Sequence, residues 1–357
     1  MSQSDSAVLR VAVAGCHRQV TRQPGSHNWA TAFAQVPETR VVAVYDRGAD
    51  TRAEFRAAWQ ATWGDIAAYD DYGRMLREVR PDIVCIATRQ THHATQIAQA
   101  AAGGVRGVLC DKPFVTTLAE ADAALEACRQ AGVAIACGTE MRWDAAYGLL
   151  AQWLRDGLVG EVQGIVGYGA PNLIFHGCHW YDTALLLAGD PEPLWVSGRV
   201  DAVAADEPDE GRRLDPPGRA WVGLDNGVLL TLLPESDGRG FSVIGSGGRL
   251  EIVNDAHQAY LWEATAGGRG ADRLAAAPAA LEVPQPDAAW PRGATLVRDL
   301  AQAVRTGGAT QGDVPHIRRA TEIGFAIHES HAAGGAPVSL PVTHRTRRID
   351  PRPWGND

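Results

Sequence analysis

The sequence predicts an α/β protein of two domains. A doubly wound parallel sheet comes first, and an α+β domain built on a large, mainly antiparallel sheet follows. Three observations carry this. Up to about residue 142, short runs that are apolar throughout alternate with helical patterns, as in a parallel sheet covered on both faces. Beyond about residue 190, strand-like runs follow one another without helices, joined at Asp225-Asn226-Gly227 and Ser246-Gly247-Gly248 by residues that make hairpin turns. A chain of 357 residues is also long enough to bury two cores.

The elements take their places in order. Strand-like 9–15 is followed by a helical stretch at 27–36, where Trp29, Ala30, Phe33 and Ala34 share a face. Strand 39–46, helices over 50–62 and 69–79, and strand 81–88 come next. A helix after His92, a strand and turn over 105–113, a helix over 117–132 and a strand over 133–140 complete the first domain. Parallel strands need crossovers, so this alternation is a doubly wound sheet. The second domain opens with a helix at 146–157 ending on Gly157, a strand at 161–169 and a helix around 180–189. Strand runs at 194–203, 218–233, 240–254 and 258–264 form the antiparallel sheet. An Ala/Gly/Pro-rich loop spans 265–292, and a helical pair at 293–306 and 313–333 is expected to close this domain.

Composition removes several function classes. The content is 45% hydrophobic and 21% charged, that of a globular chain, and the net charge of −9 argues against nucleic-acid or anionic-membrane partners. Six cysteines lie without paired spacing, which suits reduced, buried thiols and neither a disulfide framework nor a zinc site. The first residues lack the pattern of a signal peptide, and no run is long and apolar enough to span a bilayer. The expected location is therefore cytoplasmic, with no metal.

The stretch "VAVAGCHRQVTRQPGSHNW" (11–29) raises the question of a ligand. Open α/β sheets bind ligands at the carboxyl ends of their strands, and a glycine-rich turn after the first strand lets a pyrophosphate rest on a helix start. Only Gly15 stands where that pattern requires a glycine. Residues 16–25 read as an insertion carrying Cys16, His17, Arg18 and Arg22, with Pro24-Gly25-Ser26 restoring the turn and Ser26 or Asn28 capping the next helix. Arg18 and Arg22 either put charge directly on phosphates or are solvated loop. Asp46, closing the second strand, suits the two hydroxyls of a ribose and repels a 2′-phosphate, favouring NAD. Arg47 weakens that preference, so NADP stays open.

At "ATRQTHH" (87–93), "LCDKPF" (109–114) and "HGCHWYD" (176–182) the chain resembles the glucose-fructose oxidoreductase / inositol dehydrogenase / MocA (Gfo/Idh/MocA) family of sugar and cyclitol oxidoreductases. The resemblance runs to about residue 342. It implies a Rossmann-type dinucleotide-binding domain over 8–142 and a substrate-binding, oligomerising domain over 143–342, with 343–357 as an extended tail. It further implies NAD as cofactor, a carbohydrate-like substrate, and a homodimer or homotetramer formed through the C-terminal sheet.

The family's Glu-Lys-Pro motif is Asp111-Lys112-Pro113 here, one methylene shorter in the acid but with the lysine kept. Such a lysine holds a hydroxyl and accepts its proton. Of the family's helix-start Asp-x-x-x-His with a further Asp, His179 and Asp182 match, whereas Phe175 occupies the first aspartate's position. His179 is the implied proton partner of Lys112, and His176 a substitute polar group. His93 matches a family histidine, with Thr88, Arg89 and Gln90 before it where the family has Thr-Pro-Asn, so Thr88, Arg89 and His93 are placed at the cofactor. Arg142 falls where the family often has a pocket arginine; with Arg89 it suits a substrate bearing a carboxylate or phosphate, or it pairs with Glu140 or Asp144. The expected activity is hydride transfer between nicotinamide and a hydroxyl or keto carbon. A redox-neutral glycosidase, epimerase or lyase that retains NAD is the alternative, as is a scaffold protein that has lost the cofactor.

Overall fold

The computed structural model describes residues 8–21, 27–203, 214–234, 238–265 and 273–350. In the first part of the chain, β1 (Leu9–Ala14), β2 (Thr39–Tyr45), β3 (Ala67–Tyr69), β4 (Ile83–Ile86), β5 (Gly107–Cys110) and β6 (Ala134–Cys137) form one sheet in the order β3-β2-β1-β4-β5-β6. Every pairing is parallel. The four residues of β4 and of β5 are all buried, as strands covered on both faces must be. On one face α2 (Trp29–Ala34) and α3 (Ala49–Trp63) pack Trp29, Phe33, Phe55 and Trp59 against Val11, Val13 and Leu109. On the other, α4 (Tyr72–Val79), α5 (Gln90–Ala102) and α6 (Leu118–Ala131) bring Met75, Ile97 and Leu125 onto Val84, Ile86 and Val108. Edge strand β3 is only three residues long and partly exposed, so the apolar pattern does not reveal it.

The second part opens with α7 (Ala145–Arg155), β7 (Val162–Ala170) and α8 (Gly177–Leu187). Its sheet adds β8 (Pro193–Val200), β9 (Gly218–Leu224), β10 (Leu229–Pro234), β11 (Gly240–Gly245), β12 (Gly248–Val253), β13 (Gln258–Glu263), β14 (Ala279–Leu281) and β15 (Val338–Ser339). These make nine strands, all antiparallel to their neighbours except the β7–β10 pair. Strand β14 lies inside the stretch expected to be loop. One side of the sheet is buried through Val222, Leu230, Leu232, Val243 and Leu250; the other leaves Trp221 54%, Leu233 43% and Ile244 43% exposed.

The late helices correct the expectation for 293–306. Helix α9 (Pro291–Thr306) belongs with the first domain, where Leu296, Val297, Leu300 and Val304 join the β1 and β5 core. Burying each such side chain contributes roughly 2 kcal/mol. A Cβ at Gly107 of β5 would lie 2.5 Å from Val304 Cγ2, so glycine there is what lets the helix approach. The chain thus divides into one compact unit of residues 1–115, 119–143 and 287–317 and a second of 116–118, 144–286 and 318–357.

Helix α10 (Val314–Ala332) anchors the chain's last described residues. Val342 donates its N–H to Glu322 (2.8 Å), Arg345 reaches the same carboxylate (2.6 Å), and Arg347 and His344 both engage Glu329. Residues 343–350 are therefore pinned, while 351–357 lie outside the described residues. All six cysteines are buried, and none forms a disulfide.

Candidate functional site

The carboxyl edge of the parallel sheet is level. Tyr45, Ala14, Ile86, Cys110 and Cys137 pair across in one register. The next residue of each strand then donates its N–H to the neighbour: Gly15 to Tyr45 O (2.8 Å), Ala87 to Ala14 O (2.7 Å), Asp111 to Ile86 O (2.8 Å) and Gly138 to Cys110 O (2.8 Å). Gly15, Asp46, Ala87, Asp111 and Gly138 thus start their loops in a row, where the strand order reverses between β1 and β4.

Gly15 has φ of +90°, and a Cβ on it would lie 2.4 Å from Ala87 O. No side chain fits there, because the Ala87–Thr88 backbone of the neighbouring strand end already fills that space. Asp46 accepts Cys16 N–H at Oδ2 (2.8 Å) and Gly48 N–H at Oδ1 (3.0 Å), while Arg52 donates to its carbonyl (2.6 Å). The carboxylate is fixed at the end of β2 with lone pairs left for hydroxyls. Arg47 beside it is exposed. Cys16 contributes its N–H to Asp46; its thiol is buried toward Tyr45 O, and burial, then the Asp46 charge, push it well above the ordinary thiol range. A thiol so held is inert.

Helix α1 (His17–Thr21) begins at once after Cys16, with His17 exposed and Arg18 half-buried. Arg22, Gly25 and Ser26 lie outside the described residues. Asn28 caps α2, its Oδ1 accepting Thr31 N–H (2.8 Å), and the buried Gln19 accepts Ala30 N–H (2.9 Å). Gln19 went unread in the sequence because a glutamine carries no capping signature.

After β4, the Thr88 hydroxyl donates to Gln96 Oε1 (2.6 Å). Arg89 is half-buried, and its Nε is buried with no hydrogen-bond partner among the described residues. His93 is fully buried, with Nδ1 3.1 Å from the carbonyls of Pro113 and Phe114 and Nε2 3.0 Å from Thr88 O. Burial lowers its pKa. With both nitrogens on backbone carbonyls, His93 ties the β4 loop to the β5 loop and offers no nitrogen to a ligand, which corrects its expected place at the cofactor.

Lys112 follows as a half-buried residue whose N–H is received by Asp111 Oδ1 (2.9 Å). The shortened acid thus braces its own neighbour's backbone. A Cβ at Gly138 would meet Asp111 Oδ1 and Trp29 Cζ2 at 2.9 Å, so that glycine makes room for the turn. Of the 33 Lys and Arg residues, Lys112 is the only lysine. A guanidinium does not lose its proton near neutral pH, whereas an amine can. A chain whose basic residues are otherwise all arginine has its lysine at this one strand end, the position the Asp-Lys-Pro motif singles out. Arg142 is buried in a 3-10 turn (Glu140–Trp143), its Cδ close against Gly312. Glu140, in the same turn, is buried as well.

In the second domain, His176, His179 and Asp182 recur every three residues and share a stripe at the start of α8. His176 is half-buried; His179 and Asp182 are 6% and 2% exposed. The turn before them is held by side chains: Asn172 Oδ1 accepts His176 N–H (2.7 Å), and fully buried Asp215 accepts Ile174 N–H (2.9 Å) and Phe175 N–H (2.7 Å). Phe175, at the position of the missing aspartate, sets its ring edge-on to His176 with centroids 4.7 Å apart. Asp215 was missed because it lies 40 residues beyond Phe175 with no motif around it. Among the described residues no group of three His, Cys, Asp or Glu side chains is arranged to hold a metal.

Residues 9–139 match the model of an oxidoreductase family with an NAD-binding Rossmann fold. D-apiose dehydrogenase of Paraburkholderia graminis is 36% identical over 200 residues, covering 51% of this chain and 52% of that protein. D-glucoside 3-dehydrogenase of Escherichia coli is 24% identical over 209 residues, covering 53% and 57%. The chain thus spans about half the length of the curated relatives it matches. The crystal structure of aldose-aldose oxidoreductase from Caulobacter crescentus superposes with a TM-score of 0.76 at 21% identity, over 93% of this chain and 99% of that one, which is a likeness of fold. Over residues 9–139 the chain is thus similar to the Gfo/Idh/MocA oxidoreductases, whose model describes an NAD-binding Rossmann fold.

Proposed function

We propose that this protein is an NAD-dependent dehydrogenase acting on a carbinol carbon of a sugar, polyol or cyclitol. The observation that carries the reading is the chain's only lysine at the level edge that also bears Gly15 and Asp46. Gly15 at the first strand's end, with φ of +90°, and the fixed Asp46 carboxylate suit the turn under a dinucleotide's pyrophosphate and its adenosine ribose. Arg18 and Arg89 stand by as cations for its phosphates or for an anionic substrate group. When bound, NAD supplies the hydride acceptor.

Lys112 holds the substrate hydroxyl and takes its proton. His179, with Asp182 one turn on and His176 one turn before, is the second proton-handling residue, and Arg142 shapes the substrate side. A carboxylate at Asp46 repels a 2′-phosphate, so NAD is favoured over NADP. Phe175 in place of an acid favours one second reading, redox-neutral turnover on retained NAD; cofactor that survives purification with no net NADH formed would select it.

The partly exposed Trp221, Leu233 and Ile244 of the sheet support a homodimer or homotetramer formed through that face, which light scattering tests. No helix among the described residues is long and apolar enough to cross a membrane. Six buried cysteines outside any disulfide suit the reducing cytoplasm. The direct test of the reading is NADH formation from D-apiose and methyl glucoside, the substrate types named by the relatives. Lys112→Met should abolish it at unchanged NADH affinity; turnover retained in that variant would remove Lys112 from the chemistry.

A further inference from the structure

Two backbone carbonyls just after Lys112 face one buried ring. His93, in the first turn of α5, is fully buried, and its Nδ1 lies 3.1 Å from both Pro113 O and Phe114 O. Its Nε2 lies 3.0 Å from Thr88 O. Ile97, one turn further on the same helix face, is buried with Val84 and Ile86 of β4, so core packing fixes where the ring stands. The chain is held ahead of Lys112 as well: Asp111 donates its N–H to Ile86 O (2.8 Å) and receives that of Lys112 at Oδ1 (2.9 Å). The backbone is thus fixed on both sides of the lysine, by β4 before it and by His93 after it.

A neutral imidazole has one N–H and one lone pair. Burial favours the neutral ring, while the three carbonyls and the facing Asp111 carboxylate pull toward the charged one. A lone pair set against a carbonyl oxygen repels it. Nδ1 faces two carbonyls and Nε2 one, so the N–H stands on Nδ1, shared between Pro113 O and Phe114 O. Both carbonyls belong to buried residues and need a donor. The Thr88 side has another hold, its hydroxyl donating to Gln96 Oε1 (2.6 Å). We infer that His93 is a positioning residue for Lys112, acting through an Nδ1–H that holds the carbonyls of Pro113 and Phe114. The inference rests on the role proposed for Lys112 above. A base works only within hydrogen-bond reach of the proton it takes, so a loop shifted by roughly 1 Å loses turnover while cofactor still binds.

Two carboxamides separate the ring's nitrogens. The amide nitrogen of an asparagine reaches the place of Nδ1, and that of a glutamine the place of Nε2. His93→Asn should therefore keep kcat for NADH formation from D-apiose or methyl glucoside within about threefold of wild type, whereas His93→Gln should lose about tenfold or more, both at unchanged NADH affinity. Acetic anhydride labelling of Lys112, the only lysine, reads the loop without turnover. Its rate, followed by mass spectrometry on the full chain, should rise several-fold in His93→Gln and stay near wild type in His93→Asn. Ring-nitrogen NMR of the wild type, which needs no variant, should find Nδ1 of His93 protonated. A ring protonated at Nε2 alone overturns the inference. So do equal losses in the two variants, which would mean packing only, and wild-type kcat and labelling in His93→Gln. The dehydrogenase reading survives each of these. If the wild type forms no NADH from any sugar or polyol, that reading falls and the positioning role falls with it.

Discussion

The two candidate regions are held in different ways. At the edge of the parallel sheet, backbone does the positioning: four successive N–H groups reach the neighbouring strand's carbonyl at 2.7–2.8 Å, and the loops begin level whatever side chains follow. At the start of α8, side chains do it: Asp215 and Asn172 receive the N–H groups of residues 174–176 that would otherwise be buried without acceptors. The first arrangement tolerates sequence change nearly everywhere except at a glycine. The second hangs on single polar residues, so it should break under single substitutions.

Asp215→Ala should have the largest effect. It strips two buried N–H groups of a charged acceptor, and a loss of about 4 kcal/mol is expected from such a buried network. Urea unfolding measures it, and Asp215→Asn, which keeps one acceptor, should lose less. An unchanged midpoint for the alanine variant would show that the turn before α8 is held by something else.

The same contrast should appear in pH dependence. Burial lowers His328 of α10 from the usual histidine value to about 4. The unfolded chain therefore takes up this proton first as pH falls, so the stabilising term is complete above ~6.5 and is lost between there and about 4, roughly 3 kcal/mol in all. Hydrogen exchange should show α10 opening as pH drops through that window while β1 and β4 stay protected, and His328→Phe should flatten the slope.

Gly15→Ala tests the one sensitive point of the backbone-held edge. A Cβ 2.4 Å from a carbonyl, on a residue with φ of +90°, should lower stability by about 2–3 kcal/mol. Thermal unfolding reads it. Asp46→Ala should leave the fold nearly intact and weaken NADH about tenfold, or ~1.4 kcal/mol. The smallest effect belongs to Asn28→Ala, about 1 kcal/mol for a lost helix cap.

Legibility in the sequence follows the same division. The parallel sheet, its crossovers and the hairpins were readable because continuous apolar runs and turn residues are local signals, and Gly15, Asp46 and Lys112 stood at strand ends that those runs define. Helix α9 was assigned to the wrong domain, since its apolar stripe says that it packs and not on what; Gly107, the residue that admits it, lies nearly two hundred positions away. His93 looked like a ligand contact because the motif names the residue but not the direction of its nitrogens. Asp215 and Gln19 were invisible for one shared reason: each acts through a partner distant in sequence, and a lone buried polar residue carries no pattern.

The level strand edge as a dinucleotide site is the claim on which the rest depends. Titrating the full chain with NADH and following nicotinamide fluorescence tests it directly. Saturation below millimolar cofactor, weakened about tenfold in Asp46→Ala, is the expected result. Absence of saturation at millimolar NADH with a folded wild-type protein would contradict it.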